Sequence, residues 1–291
     1  MRMQGGKGDG LMMMPDLDEQ QFARWATLLE KRLGISVTPQ RKGFLSAKLR
    51  MRMRELDIAN FQDYYELVTS AQQGQMEWSY LLDRLTIHET RFNRHPASFR
   101  LIEECYLPKQ LKLHSGEVLN LKAWSVGCAS GEEAYYLAMV LDRELAVHQG
   151  KAYYGVIGSD VSLESLAIAR GGEYPEFHLD ELDEAIKRSY FERSPNGYRI
   201  VDGLRQRVAF SQLNVQKLEQ APFDKVDIIF CQNLLIYFSQ ERRRGIVTTL
   251  ARFLKPGGIM ILGIGEIVGW CAEGLEPLKF EDTLAYRKVK D

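Results

Sequence analysis

The chain has 291 residues, a formal net charge of −1, 45% apolar residues and 26% charged ones. That is room for two domains, or for one large domain with a small companion, and the near-neutral overall charge is unevenly distributed. No apolar run reaches the roughly 18 residues of a membrane helix. The start, "MRMQGGKGDGLMMMPDLDEQ", has an apolar core too short for a signal peptide, so residues 1–15 read as a flexible tail and the protein as cytoplasmic. Cys105, Cys128, Cys231 and Cys271 lie far apart, and the five histidines are scattered. Neither a disulfide framework nor a metal site is expected.

The first elements are helices. "EQQFARWATLLEKRLG", "TPQRKGFLSAKLRMRMREL" and "NFQDYYELVTSA" repeat apolar residues at helical spacing, which predicts an all-α domain over residues 16–80. Within "KLRMRMRE" the alternation also fits a strand of period two, but the flanking helical turns favour a helix. From Lys31 to Arg54 there are eight Lys or Arg and no Asp or Glu. This basic stretch reads as a solvated helix face, as a nucleic-acid surface, or as a docking surface for an acidic protein.

From Lys122 the pattern changes to short apolar runs alternating with amphipathic stretches: "LKAWSVG", a helix to about Gln149, "YYGVIGSD", "SLESLAIARGG", "RVAFSQLNV", "KVDIIFCQN", a helix from about Gln240 to Phe253, "IMILGIGE" and two closing strands in "LEPLKFEDTLAYRKV". That is the form of a parallel sheet with crossover helices, hence an α/β, Rossmann-like domain over residues 81–291. Asp202-Gly203, between apolar runs, predicts the turn of an inserted β-hairpin arm over about residues 190–208.

In such sheets ligands sit at the carboxyl ends of the strands. After the first strand, Gly127 and Gly131 do not fit GxGxxG, and Glu132 and Glu133 follow at once. Acidic residues there could serve only the helix dipole, worth about 0.3–1 kcal/mol. A pyrophosphate, however, would meet both carboxylates at close range, at a cost of roughly several kcal/mol. NAD is therefore disfavoured. S-adenosylmethionine offers the opposite pattern: an ammonium and a cationic sulfonium for carboxylates, and a ribose for the strand-end Asp160.

The pieces "LTIHETRFNRHPASF" (85–99), "WSVGCASGEEAYYLAM" (124–139), "SDVSLESLAIARGGEY" (159–174), "FSQLNV" (210–215), "FDKVDIIFCQNLLIYF" (223–238) and "LKPGGIMILGIGE" (254–266), in this order, resemble the chemotaxis-receptor glutamate methyltransferases, the CheR family. The resemblance implies a class I S-adenosylmethionine-dependent fold and methyl-ester formation on glutamates of transmembrane chemoreceptors, in flagellar chemotaxis or pilus-driven motility. It implies cofactor contacts from His88, Thr90, Arg94, Glu133, Asp160, Asn214, Val215, Gln232 and Asn233, with Arg94 and Tyr237 at the methyl-transfer centre. It also implies that the receptor's cytoplasmic methylation helices meet the basic stretch at Lys48, Arg50, Arg52 and Arg54.

The family carries Asn at His88, Phe at Asn93, Pro at Ala134 and Arg at Gln232. These departures motivate an alternative, a cofactor-binding regulatory or scaffold protein with weak or lost catalysis; Arg94, Asp160, Asn233 and Tyr237 weigh for activity. Nucleic-acid methylation is disfavoured, because "CQNLLIY" stands where amino-methylating enzymes carry (N/D)PP(Y/F) and no aromatics interleave the arginines. The arm is a few residues shorter than in members that grip a receptor tether peptide, which favours tether-independent recognition. Three residues keep a plain structural reading beside the functional one: Thr90 as cap of a helix beginning near Arg91, Glu266 as a pocket-lining or solvated loop carboxylate, and "LKPGG" as a helix stop followed by a turn.

Overall fold

The computed structural model describes residues 16–85, 90–148 and 151–289. The chain divides into two compact units: the first ends at Leu85, and residues 33–36 belong to the second. The predicted tail, 1–15, lies outside the described residues.

The first unit is helical: α1 (Glu19–Leu33), α2 (Lys42–Glu55), α3 (Phe61–Thr69) and α4 (Gly74–Leu85). In α2 the ambiguity of "KLRMRMRE" resolves cleanly, because Leu45, Leu49 and Met53 are buried while Met51 is 53% exposed. A strand would have put Met51 and Met53 on one face; a helix separates them. Asn60 caps α3 by accepting from the Asp63 amide at 2.9 Å.

A polar network runs through this core. Arg52 grips the buried Glu77 with two bonds, Nε to Oε1 at 2.8 Å and Nη2 to Oε2 at 2.7 Å, and Tyr64 donates to the same Oε1 at 2.7 Å. Its third nitrogen reaches Glu55 at 2.8 Å, where Arg84 also arrives at 2.6 Å. The bond to Glu77 raises the Arg52 pKa, and burial raises that of Tyr64. Arg52 is thus partly buried, and its guanidinium is committed to Glu77 and Glu55 within the helical unit.

The second unit begins with α5 (Pro96–Arg100), which continues through a π-helical segment, Leu101–Tyr106, into α6 (Leu107–Leu113). Then follow β1 (Leu119–Val126), α7 (Glu132–Leu145), β2 (Ala152–Asp160), α8 (Leu163–Gly171), β3 (Glu173–Tyr174), α9 (Glu184–Tyr190), β4 (Phe191–Ser194), β5 (Gly197–Ile200), α10 (Asp202–Arg205), β6 (Val208–Gln212), β7 (Val226–Cys231), α11 (Gln240–Arg252), β8 (Leu254–Leu262), β9 (Leu275–Leu278) and β10 (Leu284–Lys288). Seven strands form one sheet in the order β6-β2-β1-β7-β8-β10-β9. β10 is antiparallel to both β8 and β9, and the other pairings are parallel. Apolar side chains pack on both faces: Leu121, Ala123 and Phe230 with α7 on one, Trp124, Val126 and Ile229 with α11 on the other. Strand order reverses between β1 and β7, which places the switch point beside the glycine turn.

Two local expectations need correction. The arm is a three-stranded sheet, β3-β5-β4, and the β4–β5 hairpin turns at Pro195-Asn196. Asp202-Gly203 instead starts α10, where Asp202 accepts from Arg205 Nη1 at 3.0 Å within one helical turn. "LKPGG" does follow a helix, but it forms an irregularity inside β8: Leu254 faces Val226, yet Ile259 already faces Ile228. The extra residues are accommodated as a bulge, with Gly257 at φ +81°.

Candidate active site

At the switch point, all within the second unit, lies a cavity of about 260 Å³ that is partly open to solvent. That is just below the roughly 300–1,000 Å³ of small-molecule sites, and the mouth adds open space beyond it. The glycine turn after β1 supplies Gly127, Cys128 and Ala129, the segment after β7 supplies Gln232, Asn233, Ile236 and Tyr237, and the stretch before α5 supplies Thr90, Arg91, Arg94 and His95.

The turn's amides are already engaged. Gly127 and Cys128 both donate to the Ser159 carbonyl, at 2.7 and 3.0 Å, and Gly131 donates to the Cys128 carbonyl at 2.9 Å. Ala129 donates to Asp160 Oδ2 at 2.9 Å, while the Ser162 amide takes Oδ1, also at 2.9 Å. Gly131 has φ +96°, and an added Cβ would stand 2.8 Å from that of Ala169, so both conformation and space require glycine.

The two glutamates separate. Glu132 is fully buried and faces away from the cavity; it accepts from Ser130 Oγ at 2.9 and 3.0 Å and pairs with His178 Nδ1 at 2.8 Å. Only Glu133 borders the cavity, held by a 2.7 Å bond from Ser125 Oγ. Burial, with a smaller push from the Glu266 charge, raises its pKa to about 8, against the pull of Ser125 and of the nearby Arg94. The argument against a phosphate ligand therefore rests on one carboxylate.

Gln232 is 94% buried by its 6% exposure. Its Nε2 donates to Ser98 Oγ at 2.9 Å and to the Leu262 carbonyl at 3.1 Å, leaving the buried Oε1 without a partner at the cavity wall. Asn233 stands at φ +59°, a region asparagine tolerates better than most residues, and its Oδ1 lies 2.7 Å from His95 Nε2. Asn93 adopts φ +54°, which gives a physical reason for asparagine at that departure from the family pattern. Nothing in the structure explains Ala134, buried in the first turn of α7.

Of the residues expected at the site, Thr90, Arg94, Glu133, Gln232, Asn233 and Tyr237 border one cavity. Asp160 stands at the end of β2 and reaches the cavity through Ala129. Asn214 and Val215 do not border it: Asn214 Oδ1 accepts from the Gln216 amide at 3.0 Å, and Val215 lines a shallow cleft with Arg242 and Ile246. His88 lies outside the described residues. Thr90 caps no helix, since the next one starts at Pro96. Glu266 is neither solvated nor cavity-lining; it is 2% exposed and accepts from the Gly263 amide at 3.0 Å. Sequence reasoning missed His95, although it follows Arg94 directly, and His178, whose partner lies 46 positions away with no local signal.

Sheet order, the cavity at the switch point and a carboxylate where a dinucleotide site needs a phosphate cradle define a class I S-adenosylmethionine-dependent methyltransferase fold. Residues 88–280 match the model of the CheR methyltransferase SAM binding domain, and residues 20–86 match that of the CheR methyltransferase all-alpha domain. The chain belongs to the CheR methyltransferase family. It is similar to chemotaxis protein methyltransferase 1 of Pseudomonas aeruginosa, at 28% identity over 91% of this chain and 97% of the relative. It is also similar to the chemotaxis protein methyltransferase of Escherichia coli, at 30% identity over 86% of this chain and 85% of the relative.

The cavity fits this cofactor on its own evidence. Glu133 is an inward-facing carboxylate held partly neutral by burial, which a cationic ligand would relieve, and Gln232 Oε1 is a buried acceptor awaiting a donor. Among the described residues no cluster of His, Cys, Asp or Glu could hold a metal ion, and no helix is long and apolar enough to cross a membrane.

Proposed function

We propose that the protein transfers the methyl group of S-adenosylmethionine to glutamate side-chain carboxylates of methyl-accepting chemoreceptors, giving methyl esters for sensory adaptation. The observation that carries the reading is one cavity bordered both by an anionic wall for a sulfonium ligand, Glu133, and by a guanidinium and a phenol for a carboxylate, Arg94 and Tyr237. Glu133, Thr90, Gln232 and Asn233 would hold the cofactor, with Asp160, Asn214 and Val215 serving its nucleoside end and His88 the remaining contact implied by the family.

When bound, the cofactor supplies an electrophilic methyl group on a positively charged sulfur. A glutamate side chain, with a pKa near 4.3, arrives already ionised, so the chain needs no general base. Its own work is to orient and to exclude water. Arg94 attracts the incoming carboxylate, and Tyr237 offers a hydroxyl or its ring face. A carboxylate stripped of water is a stronger nucleophile, and orientation at near-attack distance lowers the barrier further. The guanidinium should guide more than clamp, because a tight bidentate pair would quench the attacking oxygen.

The helical unit would present Lys48, Arg50 and Arg54 to acidic methylation helices in the cytoplasm. Arg52, expected on this surface, is withdrawn from it, since Glu77 and Glu55 hold its guanidinium. Arg50 pairs with Asp16 at the edge of the described chain. The test is transfer of a radiolabelled methyl group to receptor cytoplasmic fragments, with base-labile release marking an ester. Cofactor binding with no ester on any fragment would favour the regulatory alternative.

A further inference from the structure

We infer that Glu266 and Arg243, neither of which borders the cavity, are positioning residues that clamp the turn Leu235–Tyr237 and so fix Tyr237 for methyl transfer. The inference rests on the reaction proposed above. A helical turn of three residues cannot satisfy its own amides and carbonyls, so something outside must hold it. Here Arg243 bonds the carbonyl end, and the buried carboxylate of Glu266 faces the amides of the same turn electrostatically.

On the carbonyl side, Arg243 donates from Nε to the Phe238 carbonyl at 2.9 Å and from Nη2 to the Ile236 carbonyl at 3.3 Å. Its Nη1 reaches the Glu266 carbonyl at 2.7 Å, which ties the turn to the segment after β8. The Ser36 amide adds a 3.1 Å bond to the Tyr237 carbonyl. On the amide side stands the Glu266 carboxylate, with Oε2 on the Gly263 amide at 3.0 Å. The Ile236 and Leu235 amides direct their partial positive charge at the same group. Oε1 makes no hydrogen bond, so the amides' hold on the carboxyl group is electrostatic.

The arrangement is too costly to be filler. Burial raises the Glu266 pKa, and an apolar residue would pack the same space without that penalty. Gly263 is part of the device: a Cβ there would stand 2.3 Å from Glu266 Oε2 and displace the carboxylate. What the charges accomplish is restraint of a segment that bears Asn233 at its start and Tyr237 at its end, both on the cavity wall. Side chains held by such supporting bonds keep the geometry that transfer requires.

Arg243→Met and Gly263→Ala break the two halves independently, and Arg243→Lys keeps the charge while losing the fork. Steady-state methylation of receptor fragments should show kcat reduced about tenfold to hundredfold in the first two. The KM for the fragment and the Kd for S-adenosylhomocysteine should move less than about threefold, and Arg243→Lys should recover part of kcat. Hydrogen exchange of the Leu235–Phe238 amides should accelerate at least about tenfold in the same variants, with α7 unchanged. Wild-type kcat in a variant whose turn exchanges faster would overturn the inference and leave the proposed reaction standing, as would lost kcat with unchanged exchange. A wild-type enzyme that esterifies no fragment would instead overturn the reaction, a result the exchange comparison cannot produce. If Arg243→Met fails to fold, Arg243→Lys and Gly263→Ala carry the same test.

Discussion

Replacing Glu133 with glutamine should remove most of the pH dependence of cofactor binding. Burial raises the Glu133 pKa to about 8, outweighing the Ser125 bond and the attraction of Arg94. A cation in the cavity favours the carboxylate, so binding expels a proton, and affinity must fall as pH drops below 8. The ionised fraction is about one half at pH 8, one tenth at pH 7 and one hundredth at pH 6, each unit being a tenfold step. From pH 8 to pH 6 the wild-type Kd should weaken roughly 50-fold, or about 2.3 kcal/mol. The ligand's own α-amino group titrates near 7.7–8.0, but it does so against both proteins. The ratio of wild-type to Glu133→Gln Kd isolates the side chain. Calorimetry in two buffers of different ionisation enthalpy counts the protons: at pH 7 the wild type should release about 0.9 more than the variant. Equal pH slopes for the two proteins would refute the electrostatic reading of Glu133.

The same group has a stability signature. Its folded pKa is raised from 4.5, so the cost of ionising it is absent below about pH 4.5 and grows by about 1.4 kcal/mol per unit as pH rises to 8. The Tm advantage of Glu133→Gln over wild type should therefore widen between pH 5 and pH 8, measured by thermal melts without ligand. Arg94→Ala and Tyr237→Phe should reduce kcat about tenfold to a thousandfold while changing cofactor Kd little; turnover surviving both would remove them from the transfer centre. Reversing Arg50 and Arg54 to Glu should raise the KM for receptor fragments about tenfold and leave cofactor Kd unchanged, and unchanged kinetics would leave only a solvated face. Arg52→Ala strands the buried Glu77 and should cost about 3–5 kcal/mol in denaturant titrations, whereas a loss below 1 kcal/mol would mean the network is not a core element.

Much of this architecture was legible because it is written in local periodicity. Leu45, Leu49 and Met53 announce a helix, and the β1 and β7 runs announce strands, since each pattern repeats within a few residues. The cavity was legible where its members sit in contiguous motifs, as Thr90 and Arg94 do, or Gln232, Asn233 and Tyr237. What stayed hidden depends on distant partners. Glu132 and Glu133 are neighbours of one chemical type, and their separation shows only when His178, arriving from beyond β3, pairs with Glu132 and Ser125 of β1 holds Glu133. Arg52 looks like any other arginine of the basic stretch until Glu77 folds against it from α4. Asp202-Gly203 carried a turn signal, but three-residue pairing with Arg205 makes it a helix start, and the actual hairpin turn falls at Pro195-Asn196. Glu266 sits in a glycine-rich segment that resembles a solvated loop, yet it is buried, with the Gly263 amide on its carboxylate and Arg243 on its carbonyl.

The glycine turn after β1 also limits what this scaffold could be made to accept. A dinucleotide fold recognises phosphate with amides that point outward, whereas here those of Gly127, Cys128, Ala129 and Gly131 are spent on Ser159, Asp160 and Cys128. Exchanging Glu133 for an apolar residue would lift the repulsion without creating a single donor. Cofactor redesign towards a nucleotide would have to rebuild the junction between β1 and β2 itself, because those main-chain donors are committed within the fold as well as opposed by one side chain.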